Sequence, residues 1–197
     1  MEKIGISFLF AQQYHSCMKH VSAVRRLLPF PTVFNVLGSL TNPAKVNRKL
    51  LGVYDEKLVV PLAKALKDLG IEKGMVVFGE DGFDEVSISA PTMVCEFDND
   101  NFVNYEICPE DYGLTRYNKD DIIGGTPSEN VSIMYRILDG ERGAPRDAIL
   151  LNSGVAIHIV TGISIDAGIK RAAELIDSGV ALNKFNEWKH LTQVSHN

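Results

Sequence analysis

Lys73-Gly74-Met75-Val76-Val77-Phe78-Gly79-Glu80-Asp81-Gly82-Phe83-Asp84-Glu85 is the stretch on which the fold turns. Four apolar side chains in succession, Met75 to Phe78, show no alternation with polar ones, so the segment reads as a strand covered on both faces. Glycines and acids then open a loop. Upstream, about Glu56 to Leu69 carries a helical pattern ended by Gly70, and Leu50 to Tyr54 reads as a brief strand. Downstream, Thr92 to Phe97 and Asn101 to Ile107 form a hairpin around Asp98-Asn99-Asp100. Polar, irregular chain runs from Cys108-Pro109 to Gly125. Three helices follow, with Ser128 capping the first to Leu138, Asp147 the second toward Val160, and Ser164 the third toward Ser178. Toward the amino end, Thr32 to Leu37 is β-branched and apolar, and Gly38 to Pro43 is a turn-rich loop. His15 to Leu28 has helical spacing, stopped by Pro29 and Pro31, and Ile4 to Ala11 reads as a buried strand or its approach. No repeat, low-complexity tract or linker divides residues 1–197, so one domain is expected, and buried strands alternating with helices make it α/β.

Composition narrows the function classes. Of 197 residues, 45% are hydrophobic and 23% charged, which separates the chain from disordered sequences. A net charge of -5 argues against sequence-independent nucleic-acid binding, so no nucleic-acid partner is expected. Cys17, Cys95 and Cys108 are odd in number and lack C-x-x-C spacing, which speaks against a disulfide framework or zinc knuckle and for a cytoplasmic location. No run of about 18 apolar residues suggests a membrane span.

Ligands of open α/β sheets bind beyond the carboxyl ends of the strands, so loops there come first. Gly82-Phe83-Asp84-Glu85 sets two adjacent carboxylates after a glycine turn. They suit Mg²⁺, a hard cation that takes oxygen ligands; equally they read as a solvated acidic pair or a helix cap. Asn35 to Ala44 offers hydrogen-bonding Asn and Thr41 in a loop shaped by Gly38 and Asn42-Pro43. Arg25 and Arg26 stand on the first helix; the planar guanidinium fork fits a carboxylate, or pairs with a surface acid. His15 and His20 are five apart and make a poor metal pair, and Cys17 reads as packing.

Taken in order, these blocks resemble one family. Phe8-Leu9-Phe10-Ala11, His15, Met18-Lys19-His20-Val21 and Val24-Arg25-Arg26 resemble FLFAPxxHPAMKHVxPVRR, and Phe34 to Ala44, FNVLGSLTNPA, resembles FNLLGPLTNPA. Leu51-Gly52-Val53-Tyr54, Gly82-Phe83-Asp84-Glu85, Pro109 to Leu114, Gly124 to Asn130 and Asp147 to Asn152 follow in place. The chain is thereby identified as similar to the anthranilate phosphoribosyltransferases, of the nucleoside phosphorylase/phosphoribosyltransferase superfamily. The resemblance implies part of an α/β/α layered catalytic domain. It also implies transfer of a phosphoribosyl group from phosphoribosyl pyrophosphate (PRPP) to anthranilate, a step of tryptophan biosynthesis. By position, Arg25 would contact the anthranilate carboxylate, His15 would line the anthranilate channel, and Asp84 and Glu85 would bind Mg²⁺; no residue is assigned as catalytic.

Gln12, Ser16 and Ser39 stand where the family has proline. The family's helical amino-terminal domain, first strands, GTGGD phosphate loop, KHGN segment and Ser-rich loop do not occur between Met1 and Asn197. The expectation is an acceptor and metal half-site, inactive alone and complete only with the missing half; a separate amino-terminal polypeptide or a homodimer is the expected protein partner. A non-catalytic remnant and a nucleic-acid-binding relative are the alternatives.

Overall fold

The computed structural model describes residues 3–9, 27 and 32–194. Its centre is a four-stranded mixed sheet in the order β1 (Arg48–Gly52), β2 (Lys73–Gly79), β3 (Thr92–Asp98), β4 (Asn101–Ile107). β1 and β2 are parallel, with Leu50 opposite Met75; β2–β3 and β3–β4 are antiparallel, with Val76 opposite Cys95. The hairpin turn is tighter than expected. Asp98 pairs with Asn101 across Asn99-Asp100, and Asn99 takes a left-handed conformation (φ 52°), which asparagine tolerates.

The double-sided burial expected for β2 is present. Met75 and Val77 face one core with Val94 and Ile107, while Val76 faces the other with Leu51, Cys95 and Phe97. The second core is closed by α2 (Val59–Asp68), whose Val59, Leu62, Ala63 and Leu66 recur at helical spacing; a 3-10 turn, Glu56–Leu58, precedes it with Asp55 as its cap. The first core is closed by α3 (Pro127–Leu138), α4 (Ala144–Thr161) and α5 (Ile165–Asp177). Helices therefore cover both faces of the sheet, an α/β/α arrangement.

Several helix boundaries differ from the sequence reading. α1 (Phe34–Leu40) runs through Gly38 and Ser39, residues read as loop, because Thr32 and Asn35 organise its start and the turn comes only at Thr41. Thr126, not Ser128, caps α3: its side chain accepts from the Glu129 N–H while Glu129 reaches back to the Thr126 N–H. α4 starts at Ala144 rather than Asp147, with Pro145 in the first turn, where no N–H is needed. Ser164 caps α5 as expected. A fourth carboxy-terminal helix, α6 (Val180–Val194), was not anticipated; it follows Gly179, whose φ of 74° turns the chain after α5. Phe185 fixes it edge-on to Tyr135 at 5.6 Å.

α4 and α5 meet backbone to backbone. A Cβ on Gly154 would lie 2.8 Å from the Ile169 nitrogen, and one on Gly168 would press on the Gly154 carbonyl. Among the described residues no single helix is long and apolar enough to cross a membrane; α4 and α5 together pass that test but bend by 115°.

Candidate functional site

The parallel pair fixes where a site can form. β1 and β2 end side by side, and the chain from Gly79 to Pro91 folds over those carboxyl ends, where α/β sheets present ligand-binding loops. Gly52, the last residue of β1, is in contact with the backbone of Asp84; a Cβ there would overlap the Asp84 carbonyl and lie 3.0 Å from its Cα. No other residue fits this approach. The acidic pair is thus held over the sheet by main-chain contact, and both side chains are exposed to solvent. Neither caps a helix, since the segment after them is irregular up to β3.

The loop is closed by its own hydrogen bonds. Gly79 N–H donates to Phe83 O (2.9 Å), Gly82 N–H to Gly79 O (2.8 Å) and Glu80 N–H to Pro91 O (2.9 Å). Asp81 accepts from Phe83 N–H (3.3 Å) and from the hydroxyls of Ser87 (2.6 Å) and Ser89. Lys119, from the 3-10 turn Lys119–Ile122, donates to Asp81 O at 2.8 Å and stands 4.3 Å over the Phe83 ring. On the other flank Asn152 of α4 clasps Val86, accepting its N–H (3.0 Å) and donating to its carbonyl (2.8 Å). A cavity of about 330 Å³ adjoins, lined by Glu85, Phe83, Asn130 and Asn152 with Ile123 and Met134.

Charge follows this geometry. Although Glu85 reaches solvent, the part of it covered by the loop is desolvated, which raises its carboxyl above its ordinary value, and the neighbouring charges of Asp84 and Asp81 raise it further. Burial also pushes Asp81 upward, but the donated hydrogen bonds of Ser87, Ser89 and Phe83 outweigh it and leave its carboxyl below the ordinary range. Three acids therefore crowd one loop, and a cation would relieve the repulsion. The donor set fits Mg²⁺: hard carboxylate oxygens, few enough that water and a phosphate could complete the octahedron. Among the described residues no group of three or more His, Cys, Asp or Glu forms a closed metal cage.

Of the residues singled out in the sequence, Asp84 and Glu85 are brought together, whereas His15 and Arg25, with His20, Arg26 and Cys17, lie outside the described residues. The Asn35–Ala44 segment was expected among the ligand loops. Its Thr41–Ala44 turn leads into β1; Asn42 accepts from Ala44 N–H (2.9 Å), and Lys49 donates to the carbonyl of Ser39. The sequence reading missed Asp81, Lys119 and Asn152 as parts of this site.

A second polar cluster sits at the opposite end of the sheet. Glu96 accepts from Tyr105 OH (2.8 Å) and meets His158 Nε2 at 2.9 Å; the other ring nitrogen of His158 lies 2.5 Å from Ile163 O. Burial and the Glu96 charge push the Tyr105 phenol strongly upward, so it remains a donor. Arg48 donates to Ile159 O nearby (3.1 Å), fastening the end of α4.

Comparison with known proteins accords with this architecture. The anthranilate phosphoribosyltransferase of Methanobrevibacter smithii is 46% identical over 192 residues, covering 95% of this chain and 57% of the relative. The crystal structure of anthranilate phosphoribosyltransferase from Thermus thermophilus superposes with a TM-score of 0.87 at 37% identity, covering 95% of this chain and 56% of that one. The Saccharomyces cerevisiae enzyme in complex with PRPP and Mg gives 0.81 at 34% identity, covering 87% and 50%. The chain thus spans little more than half the length of the relatives it matches. The family profile described as glycosyl transferase family, a/b domain, aligns with residues 1–182, and the chain belongs to that family.

Proposed function

We propose that this chain supplies the metal-binding and acceptor-binding part of an anthranilate phosphoribosyltransferase. The observation that carries the reading is the acidic pair: Asp84 and Glu85 held over the carboxyl ends of a parallel strand pair by the Gly52 contact, beside an open cavity. Relatives of the same family include a yeast enzyme bound to PRPP and Mg.

Displacing pyrophosphate from the ribosyl carbon needs little covalent assistance, so positioning and charge stabilisation carry the rate. Mg²⁺ would supply neutralisation of the leaving pyrophosphate. Asp84 and Glu85 would hold that cation through carboxylate oxygens. Arg25 would take the anthranilate carboxylate in its planar fork, and His15 would line the channel that brings the amine to the ribosyl carbon. The phosphate cradle requires backbone N–H donors of the GTGGD type, which carboxylates cannot replace. We place that cradle on polypeptide outside residues 1–197. The reducing cytoplasm suits the free thiols of Cys95 and Cys108.

The test is loss of anthranilate fluorescence when PRPP, Mg²⁺ and an amino-terminal polypeptide bearing the GTGGD loop are added to this chain. Turnover that disappears in Asp84→Asn/Glu85→Gln supports the reading. Absence of turnover in every such mixture at controlled Mg²⁺ overturns it in favour of a non-catalytic remnant.

A further inference from the structure

Asp81 is a partly buried carboxylate to which the proposed reaction gives no task. Its bonding directions are fixed by counting protons. Ser87 Oγ accepts from Ser89 N–H (3.0 Å) and Ala90 N–H (3.1 Å), which occupies both of its lone pairs, so its single O–H points at Asp81 Oδ2. The Ser89 hydroxyl donates to the same oxygen, and Phe83 N–H donates to Oδ1. Every group facing the carboxylate is a donor. Asp81 thereby ties both ends of the Gly82–Val86 turn, residue 83 on one side and residues 87 and 89 on the other. Gly82, at φ 88°, makes the reversal between them. Asn152 pins Val86 from α4. Asp84 and Glu85 lie between these anchors, and among the described residues neither carboxylate accepts a hydrogen bond of its own.

We infer that Asp81 is a positioning residue for the acidic pair: acting through Phe83 N–H and the two serine hydroxyls, it sets where Asp84 and Glu85 present oxygen to a divalent cation. This deepens the metal-binding reading above and rests on it.

Asp81→Asn is nearly isosteric yet mismatched in either amide orientation. With its NH₂ toward the serines it meets a Ser87 oxygen whose lone pairs are filled; with its NH₂ toward Phe83 it meets an N–H. Ser87→Ala/Ser89→Ala removes the donors and leaves the Asp81 charge in place, which separates positioning from simple electrostatic attraction. The probe is Mn²⁺ with inorganic pyrophosphate, read by electron paramagnetic resonance, alongside amide exchange along the whole chain.

Both variants are expected to weaken Mn²⁺ uptake by about ten-fold or more, the usual effect of losing a partner that orients metal ligands. Both are also expected to alter the Mn²⁺ line shape and to speed exchange at Asp84, Glu85 and Val86 while Met75 to Val77 keep their protection. Wild-type uptake and exchange in Ser87→Ala/Ser89→Ala, with weakening in Asp81→Asn alone, would mean that Asp81 acts by charge only and would overturn the proposal. If the double variant does not fold, Ser89→Ala alone asks the same question. If the unaltered chain takes up no Mn²⁺, the metal reading falls separately. Exchange then decides the positioning role: faster exchange at residues 84–86 in both variants supports it, and unchanged exchange ends it.

Discussion

Gly52→Ala tests the link between fold and site with a single methyl group. The added Cβ would overlap the Asp84 carbonyl, and even Asp84 Cα would be only 3.0 Å away. Relaxed carbon–carbon contacts lie at about 3.5–4.0 Å, so the loop backbone must retreat by about 0.5–1 Å at that atom, and further at the carbonyl. Nothing flexible can absorb this, because the obstructing atoms are main chain. Overpacking of this kind costs about 1–3 kcal/mol, which for a chain of this size lowers Tm by about 2–12 °C. A displacement of about 1 Å at a reacting centre can cost on the order of 100-fold. Mn²⁺ titration and thermal unfolding of Gly52→Ala, with Gly38→Ala as control, measure both effects. A Cβ on Gly38 meets nothing within 4 Å and lies inside α1, so that change should be neutral or slightly stabilising. Unchanged Tm and unchanged Mn²⁺ affinity in Gly52→Ala would refute the claim that β1 holds the acidic loop in place.

Two further outcomes follow from buried charge. Arg146 is 3% exposed and spends one guanidinium nitrogen on Asp177 (2.7 Å), while its Nη1 is buried without a partner among the described residues. Asp177→Ala strands that charge and should cost about 3 kcal/mol, whereas Arg146→Met should cost less; the opposite ranking in urea unfolding would contradict this account. Asp81, held below its ordinary value, binds a proton more readily unfolded than folded, so its contribution to stability is present above about pH 3.9 and lost as pH falls through the depressed folded value. The Tm gap between the unaltered chain and Asp81→Asn should therefore persist at pH 5 and close in strong acid; a gap that stays constant down to pH 2 would count against it.

The sheet was legible because its signals are local and redundant. Met75 to Phe78 can be apolar on both faces only if both faces are covered, and Asn99-Asp100 marks its own turn. Helix starts were less legible. Ser128 and Asp147 are good capping types, but Thr126 with Glu129, and Pro145 in a first turn, compete for the same boundaries, and tertiary contact decides between them. α6 was hidden because its apolar stripe is sparse and it meets the rest of the protein at few points: Phe185 and Lys189 at Tyr135, and Ala181 at the first core. At the site, an acidic dipeptide is visible in sequence, but its supports are not. Asn152 meets Val86 across 66 residues and Lys119 meets Asp81 across 38, and no spacing rule reaches so far.

The Gly52–Asp84 contact has a consequence for redesign. Because main-chain atoms make it, the side chain at position 84 carries no packing duty and is free to change with the chemistry demanded of it. The platform and the ligand it offers are separately editable. Histidine or cysteine placed at 84 or 85 would be delivered to the same point above the sheet, turning the loop proposed for a hard cation into a starting scaffold for softer metals.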